Sequence, residues 1–250
     1  MNPIVSVVMP VFNAADVELS VAGVLSQTHE NLELIIVDDH SNDDMVKKLV
    51  SVAASDSRIV LIRNATNEGA GVCRNMGLRA AKHDFIAFCD SDDVWMPNKL
   101  EIQLAEMLRE NAPICCSAYV KKHHSTYKIS APIVPPKRIT HNDLLKSCSI
   151  AMSTAVVNRK ITGYFEMPKT RRRQDFGMWL QLTSKGYWAL GLDKNLVEYS
   201  YGHKSVSSNK LLAAYYHWKT VRAHSNIPLL FMPAYFISYT INGIRKYLLR

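Results

Sequence analysis

The sequence lacks paired-cysteine motifs, an export signal and an apolar run long enough to cross a membrane. Its five cysteines are odd in number and form no C-x-x-C pair, which predicts reduced core residues of a cytosolic protein. No basic segment followed by an apolar core opens the chain, so we expect no secretory leader. An almost entirely apolar stretch, 227–241, contains two prolines and is shorter than the about 20 residues of a spanning helix. Together these features predict a cytoplasmic protein.

Acidic residues are missing from the C-terminal segment 199–250, which carries seven lysines and arginines. Residues 1–198 carry 23 basic and 22 acidic residues, so the formal net charge of +8 belongs almost wholly to this segment. A basic tail indicates an anionic partner. Because its apolar residues recur at helical spacing, we expect 209–250 to be a helical, amphipathic tail that binds the inner face of the cell membrane peripherally, with no nucleic-acid partner. The alternative is a helical pair packed back on the rest of the protein.

Apolar runs alternate with helix-like segments along the first hundred residues. The runs are rich in valine and isoleucine and show no polar alternation, as expected for parallel strands buried on both faces. Strands that alternate with helices in this way predict an α/β fold built from βαβ units. The predicted strands are 4–11, 32–37, 59–62 and 85–89, and the predicted helices are 15–26, 43–54 and 70–81.

The second half of the chain is less regular. A helix is expected from 97 to about 110, and residues 121–138, rich in bases and prolines, are expected to form an exposed irregular insertion. Four further strands are predicted at 114–120, 154–157, 187–190 and 196–201, and a short helix at 175–185.

Three carboxylates follow the fourth predicted strand within four residues, at Asp90, Asp92 and Asp93. Like charges this close repel one another unless a cation compensates them. The carboxyl ends of strands in an open α/β sheet are also where such folds bind ligands. Hard oxygen donors suit Mg²⁺ or Mn²⁺, which commonly combine one or two carboxylates with substrate phosphates. The alternative is a solvated acidic turn that caps the next helix.

Polar residues also follow the first two predicted strands. Asn13 ends the first and Asp38–Asp39 the second, so all three strand ends are expected to meet at one edge of the sheet. Asp39 is expected to accept hydrogen bonds from a base or a ribose, with the backbone around 10–12 lining the base. The alternative for this acidic pair is simple capping of the following helix.

A glycine-containing segment follows the third predicted strand, with Gly69 and Gly71 ahead of Arg74. It lacks the third glycine of a dinucleotide-binding fingerprint and follows the wrong strand, which argues against a dehydrogenase. We interpret it as a turn into a helix that directs Arg74 toward the crevice. There an arginine either contacts a diphosphate or holds the aspartates in place; the alternative is a surface arginine.

These segments, in this order, resemble glycosyltransferase family 2. The similarity covers roughly residues 4–205 and consists of VSVVMPVFN, QT, VDDHS, NEG, RN and DSDD, followed by VWMPNKLE. The resemblance implies a GT-A, Rossmann-like fold with a mostly parallel central sheet. It also implies an inverting enzyme that uses a nucleotide-sugar donor.

The resemblance assigns roles to the strand-end residues. It implies that Asp39 contacts the uracil of a UDP-sugar, Asp90 the ribose or sugar, and Asp92 a divalent Mn²⁺ or Mg²⁺ ion, with Asp93 aiding the sugar contact. His203 is a candidate metal or diphosphate contact, with a plain surface histidine as the alternative. The expected donor-binding residues are Pro10, Val11, Phe12, Asn13, Asp39, Gly69, Arg74, Asp90, Ser91, Asp92, Asp93 and Arg173.

The family's catalytic base matches Asp175, although Gln174 stands where an acidic residue usually precedes it. Asp175 is expected to accept the proton of the acceptor hydroxyl, with a solvent-facing helix cap as the alternative. Arg173, in a run of three arginines, is expected to bind a phosphate of donor or acceptor.

The sequence thus predicts a metal-dependent transferase that moves a sugar from a UDP-sugar to a glycan acceptor, lipid-linked, in surface-polysaccharide synthesis. The expected organisation is a catalytic domain over 1–208, with a nucleotide-binding half (1–110) and an acceptor-binding half (111–208), before the tail. A catalytically silent nucleotide- or glycan-binding module of the same fold is the alternative, and the presence of Asp175 argues against it.

Overall fold

The computed structural model describes residues 2–170, 172–202 and 210–225, together with Tyr235. Nine strands in this part form one sheet, and six of them run in the same direction, in the order β3-β2-β1-β4-β8-β6-β9-β5, with β7 beside β9. The strands are β1 (Val5–Val11), β2 (Leu32–Asp38), β3 (Ile59–Arg63), β4 (Phe85–Phe88), β5 (Val94–Trp95), β6 (Ile114–His123), β7 (Arg138–Ile139), β8 (Val156–Asn158) and β9 (Ala189–Tyr201). The mostly parallel α/β sheet predicted from the sequence is confirmed.

Eight α-helices accompany these strands in the described part of the chain. They are α1 (Val17–Leu25), α2 (Asp43–Ser55), α3 (Ala70–Ala80), α4 (Lys99–Glu110), α5 (His141–Lys146), α6 (Arg159–Thr162), α7 (Gln174–Ser184) and α8 (Lys210–His224). A single 3₁₀ turn, Met152–Thr154, precedes β8. The predicted helices of the first half all form, whereas α5, α6 and the 3₁₀ turn lie where no helix was expected.

The parallel half of the sheet forms because its strands are apolar on both faces. Every residue of β1, β2 and β4 is buried. The four strands β1 to β4 are all parallel, so their carboxyl ends emerge at one edge. This arrangement places Asn13, Asp39 and Asp90 at that edge, as expected.

Two strands that the sequence predicted as separate form a single strand, β9. Residues 191–195 were interpreted as a break, because Asp193, Lys194 and Asn195 are polar. In the structure these three residues are exposed, and the register between β6 and β9 shifts beside them. A bulge therefore absorbs the polar residues without ending the strand.

The motif residue Gln27 has a structural function. Its amide nitrogen donates to the carbonyls of Gly23 and Met96, at 3.0 and 2.7 Å, and its amide oxygen accepts from the backbone of Leu100 at 3.0 Å. Gln27 thereby joins the end of α1 to the start of α4. The carboxylates of the segment 90–93 lie just ahead of this junction, so their position is fixed by buried hydrogen bonds.

Helix α8 begins the predicted tail and packs against α7. His217 and Val221 are buried there, and Trp218 is partly buried against the same core. Within residues 215–225, Trp218 and Val221 of the apolar stripe thus pack on the rest of the protein, as in the alternative interpretation, whereas Tyr215 is 57% exposed; membrane binding by the tail stays a prediction. Residues 226–234 and 236–250 lie outside the described part of the chain. Among the described residues, no helix has the length and apolar character needed to cross a membrane.

Candidate active site

A cavity of about 590 Å³ opens at the carboxyl ends of β1, β2 and β4. It brings together the residues that follow all three strands, as the sequence predicted. Phe12 is 53% exposed at its wall, and Asn13 adopts a left-handed backbone (φ 46°). The lining residues are Pro10, Val11, Phe12, Asn13, Ala14, Ala15, Asp16, Asp39, Ala70, Arg74, Asp90, Ser91, Asp92 and His124.

Asp39 shapes the loop ahead of α3. Its carboxylate accepts hydrogen bonds from the side chain of Asn64 (2.9 Å) and from the backbone N–H groups of Glu68 (2.9 Å) and Gly69 (2.8 Å). Burial disfavours the charged carboxylate, but these donors outweigh it and lower its pKa. Asp39 is therefore ionised and already holds the 67–69 loop against the cavity. Gly69, predicted as a donor-binding residue, contributes its N–H to this bond and lies behind the cavity wall.

Arg74 and Asp90 form an ion pair across the floor of the cavity. The guanidinium is buried, on the inward face of α3. Burial opposes its charge, yet Asp90, and after it Asp175, raise the pKa of Arg74. The predicted orientation of Arg74 toward the crevice is thus observed, and its charge is compensated by carboxylates from two distant segments.

Asp93 lies inside the protein rather than on the cavity. Its carboxylate accepts from the hydroxyl of Ser153 and from the backbone N–H of Ser200, the latter at 2.9 Å. Burial, with the charges of Asp90 and Asp92, raises its pKa well above the usual value, while the two hydrogen bonds act in the opposite direction. Asp93 is 1% exposed and is not among the residues that line the cavity, and its contact with a donor sugar stays a prediction. It anchors the aspartate segment to the 3₁₀ turn and β9.

Asp175 lies in the first turn of α7 and is half-buried. Helix α7 reaches α3 because Gly71 has no side chain: a Cβ built there would lie 2.9 Å from Cγ of Gln174. This close approach brings Asp175 near enough to influence the charge of Arg74. The structure therefore places Asp175 close to Arg74, which lines the cavity, although Asp175 is not itself one of the lining residues.

The carboxylates fit a divalent cation. Asp90, Asp92 and Asp93 crowd one segment, and the pKa of Asp93 is raised first by burial and then by the charges of Asp90 and Asp92. Asp92 is half-buried and lines the cavity, with hard oxygen donors suited to Mg²⁺ or Mn²⁺. Among the described residues, no group of three or more His, Cys, Asp or Glu side chains encloses an ion. A cation here thus needs additional ligands, such as phosphate oxygens.

Arg173, a predicted donor contact, interacts with helix α8. Arg173 has a left-handed backbone (φ 55°), and its guanidinium is 3.4 Å from Nδ1 of His217, on α8. Arg173 is not among the residues that line this cavity, and its contact with a phosphate of donor or acceptor stays a prediction. The ring of His217 stacks on Phe176 with 4.9 Å between centroids, and burial, together with Arg173, lowers the pKa of His217 to about 3. His203 lies outside the described residues.

Comparison with known proteins identifies the family. The model of the family "Glycosyl transferase family 2" matches residues 6–165. The chain belongs to glycosyl transferase family 2. This glycosyltransferase is 36% identical to the putative teichuronic acid biosynthesis glycosyltransferase TuaG of Bacillus subtilis, over 98% of each chain. It is 35% identical to the UDP-Glc:alpha-D-GlcNAc-diphosphoundecaprenol beta-1,3-glucosyltransferase WfgD of Escherichia coli, over 98% of this chain and 95% of the other.

Solved structures show the same fold. The glycosyltransferase superposes on Staphylococcus aureus TarS 1-349, solved with UDP, with a TM-score of 0.71 at 14% identity, over 95% of this chain and 70% of the other. It superposes on the mannosyltransferase PcManGT of Pyrobaculum calidifontis, solved with GDP-Man and Mn²⁺, with a TM-score of 0.69 at 17% identity, over 95% and 69%. The predicted GT-A architecture is confirmed.

Three residues of the glycosyltransferase's cavity region escaped the sequence analysis. Ser153 bonds Asp93 and also accepts from the backbone N–H of Asp90 at 3.0 Å. Asn64 orients Asp39. His124 lines the cavity from the segment that follows β6. No local pattern marks these positions, because each reaches the site only through long-range packing.

Proposed function

We propose that the protein is an inverting glycosyltransferase that moves a sugar from a UDP-sugar to a hydroxyl of a lipid-linked glycan during surface-polysaccharide synthesis. The proposal depends on one observation: a single cavity joins Asp39, Asp92 and the Arg74–Asp90 ion pair, with Asp175 close behind. The substrates of the Escherichia coli relative WfgD, UDP-Glc and a diphosphoundecaprenol-linked GlcNAc, support it. So does the UDP found with the structural neighbour.

The base and ribose of the donor are assigned to the part of the cavity around Pro10–Asn13 and Asp39. The backbone of residues 10–12 offers a wall for the base, and the exposed ring of Phe12 offers a stacking surface. Asp39 keeps this pocket in shape by holding the 67–69 loop. Asp90 and Ser91 lie farther along the same wall and are assigned to the ribose and sugar.

Asp92 is assigned to a divalent metal, together with oxygens of the donor diphosphate. When bound, Mn²⁺ or Mg²⁺ offsets the negative charge that develops on the departing UDP. Arg74 supports the same region by holding Asp90 in place. The proposal includes metal dependence because the carboxylates are crowded and because the neighbour PcManGT was solved with Mn²⁺.

Asp175 is assigned the proton transfer. Its carboxylate accepts the proton of the acceptor hydroxyl while that oxygen bonds to the anomeric carbon, and the bond to the diphosphate breaks on the opposite face. One carboxylate base is sufficient, since the leaving diphosphate needs no proton from an acid. Gln174 occupies the neighbouring position and packs on Gly71, where it supports the start of α7.

The proposal is tested by measuring UDP release and glycan product with a panel of UDP-sugars and a sugar-diphosphate-lipid acceptor, with Mn²⁺, with Mg²⁺ and with a chelator. Asp175→Asn is expected to bind UDP normally and to lose transfer by roughly 10²-fold or more. Asp92→Ala is expected to abolish the metal-dependent part of UDP binding. Asp193→Asn, an exposed aspartate on β9, is the matched control. Wild-type transfer by Asp175→Asn would refute the assignment of the base.

A further inference from the structure

A long acid-free segment crosses the rim of the donor cavity. Between Glu110 and Asp143 the chain contains five lysines and arginines, three histidines and no acidic residue. These basic residues are distinct from those of the C-terminal tail. Of this segment, only His124 lines the donor cavity. The function described above leaves most of the segment unexplained.

Residues 119–133, here called the basic hairpin, are ordered by backbone hydrogen bonds. Tyr119 and Ile133 exchange two of them, at 3.2 and 2.8 Å, and the backbone N–H of His123 donates to the carbonyl of Lys128 at 2.9 Å. The base of the hairpin is fixed by an ion pair between Lys122 and Glu198 at 2.7 Å. Two isolated β-bridges, between Tyr119 and Ile133 and between Lys122 and Ile129, join the end of β6 to the expected irregular insertion.

The tip of the basic hairpin exposes large apolar side chains. Tyr127 is 72% exposed and Ile129 is 58% exposed, with the exposed Lys128 between them. Tyr127 also has a left-handed backbone (φ 55°), which is unusual for an aromatic residue. The tip thus presents an aromatic, a cationic and an aliphatic side chain in succession. This combination suits a membrane interface, where apolar groups insert among the lipids and lysines contact lipid phosphates.

The basic hairpin adjoins the mouth of the donor cavity. His124 lines the cavity beside Ser91 and Asp92, and its backbone N–H donates to the carbonyl of Tyr201 at 3.0 Å. Gly202 packs against the ring of His123, where a Cβ would lie 2.8 Å from Nε2. Any surface that binds the tip of the basic hairpin therefore also lies close to the opening of the donor cavity.

We propose that the basic hairpin docks the enzyme on an anionic phospholipid surface, with Tyr127 and Ile129 entering the interface and Lys128 meeting lipid phosphates. This inference rests on the proposed function in one respect: a lipid-linked acceptor requires that the cavity open toward a bilayer. It places the docking surface at the cavity mouth rather than in helix α8, where Trp218 and Val221 pack on the protein.

The test uses the full-length protein and sedimentation with vesicles of phosphatidylethanolamine and phosphatidylglycerol, compared with neutral phosphatidylcholine vesicles. Lys128→Glu is expected to weaken partition to the anionic vesicles roughly fivefold or more. The double variant Tyr127→Ser, Ile129→Ser is expected to weaken it by about tenfold. The matched controls are Lys185→Glu and the double variant Leu19→Ser, Val50→Ser, all at exposed positions of other elements.

A second readout separates this inference from the proposed function. With a short, water-soluble acceptor the hairpin variants should transfer sugar at the wild-type rate, and with an acceptor embedded in anionic vesicles they should lose activity in step with partition. If the wild type transfers no sugar, the proposed function fails, while the sedimentation result still decides the docking. Partition equal to wild type in both hairpin variants would overturn the inference. The inference would also be overturned if the loss of vesicle partition depended on charge alone and the same variants lost binding to duplex nucleic acid equally.

Discussion

The guanidinium of Arg74 and the carboxylate of Asp90 form an ion pair in which the arginine is only 6% exposed. The two residues come from the helix after β3 and from the end of β4, so their pairing links two sides of the donor cavity. Asp175, 101 positions later in the numbering than Arg74, adds to the field at the same guanidinium. One buried cation therefore connects the donor carboxylates with the proposed base.

Replacing Arg74 is expected to cost both stability and activity. Arg74→Ala leaves Asp90 beside two other carboxylates without its cation, so the free energy of unfolding should fall by about 3–5 kcal/mol. Arg74→Lys keeps the charge without the planar fork and should be intermediate in stability while still losing transfer. Chemical denaturation and UDP-release assays measure the two effects.

Arg79→Ala is the control for this prediction. Arg79 lies on the same helix and pairs with Glu166 at 2.8 Å, but its side chain is 54% exposed. An exposed pair of this kind contributes little to stability, because solvent screens the two charges. If the two alanine variants lowered the free energy of unfolding equally, the burial of the Arg74–Asp90 pair would not contribute to stability.

Gly71 should control the position of Asp175. In Gly71→Ala the new methyl group meets Gln174, which should displace the start of α7 at a cost of about 1–3 kcal/mol. A displaced base lowers turnover, here by an expected tenfold or more, while UDP affinity stays nearly unchanged. Steady-state kinetics and UDP titration distinguish these two quantities.

A second substitution tests the physical cause. Because the nearest atom is Cγ of Gln174, at 2.9 Å, adding Gln174→Ala to Gly71→Ala removes that contact and should restore part of the lost turnover. Gln174→Ala alone serves as the reference. Additive losses in the double variant would mean that contact between these two residues does not position Asp175.

Lys99 is fully buried beneath the aspartate segment. Its ammonium nitrogen lies 3.8 Å from the centroid of the Trp95 ring and has no hydrogen-bond partner among the described residues. Burial lowers the pKa of Lys99 to about 7, although nearby Cys89, Cys115 and Cys116 act in the opposite direction. Between this pKa and the unfolded value of about 10.4, the unfolded chain binds more protons, so stability due to this group rises with pH.

Lys99→Met should remove this pH dependence. We expect the wild type to gain up to about 1.4 kcal/mol in free energy of unfolding per pH unit above pH about 7 from this residue, and the variant to lack that gain while being more stable near neutrality. Urea denaturation at pH about 6.5 and about 8.5 measures the difference. The exposed Lys47→Met is the control. Parallel wild-type and Lys99→Met profiles would contradict the prediction.

The sequence was sufficient to predict the parallel half of the sheet and the cavity at the carboxyl ends of its strands. Short apolar runs rich in valine and isoleucine favour strands buried on both faces, and the carboxyl ends of parallel strands lie at one edge of the sheet. For that reason the residues after β1, β2 and β4 were correctly grouped around Asp39 and Asp90. The strand β9 was divided wrongly, since an exposed polar bulge and a turn have the same local composition.

By itself, then, the sequence determined which segments are strands, which edge of the sheet carries polar groups, and which family the motifs resemble. Only the tertiary structure decided which aspartates of the segment 90–93 face the ligand cavity. Asp92 lines the cavity and Asp93 points inward to Ser153, although they are adjacent in the chain. The side chain of Asp93 is directed by partners 60 and 107 residues away, and contacts at that separation leave no trace in local periodicity.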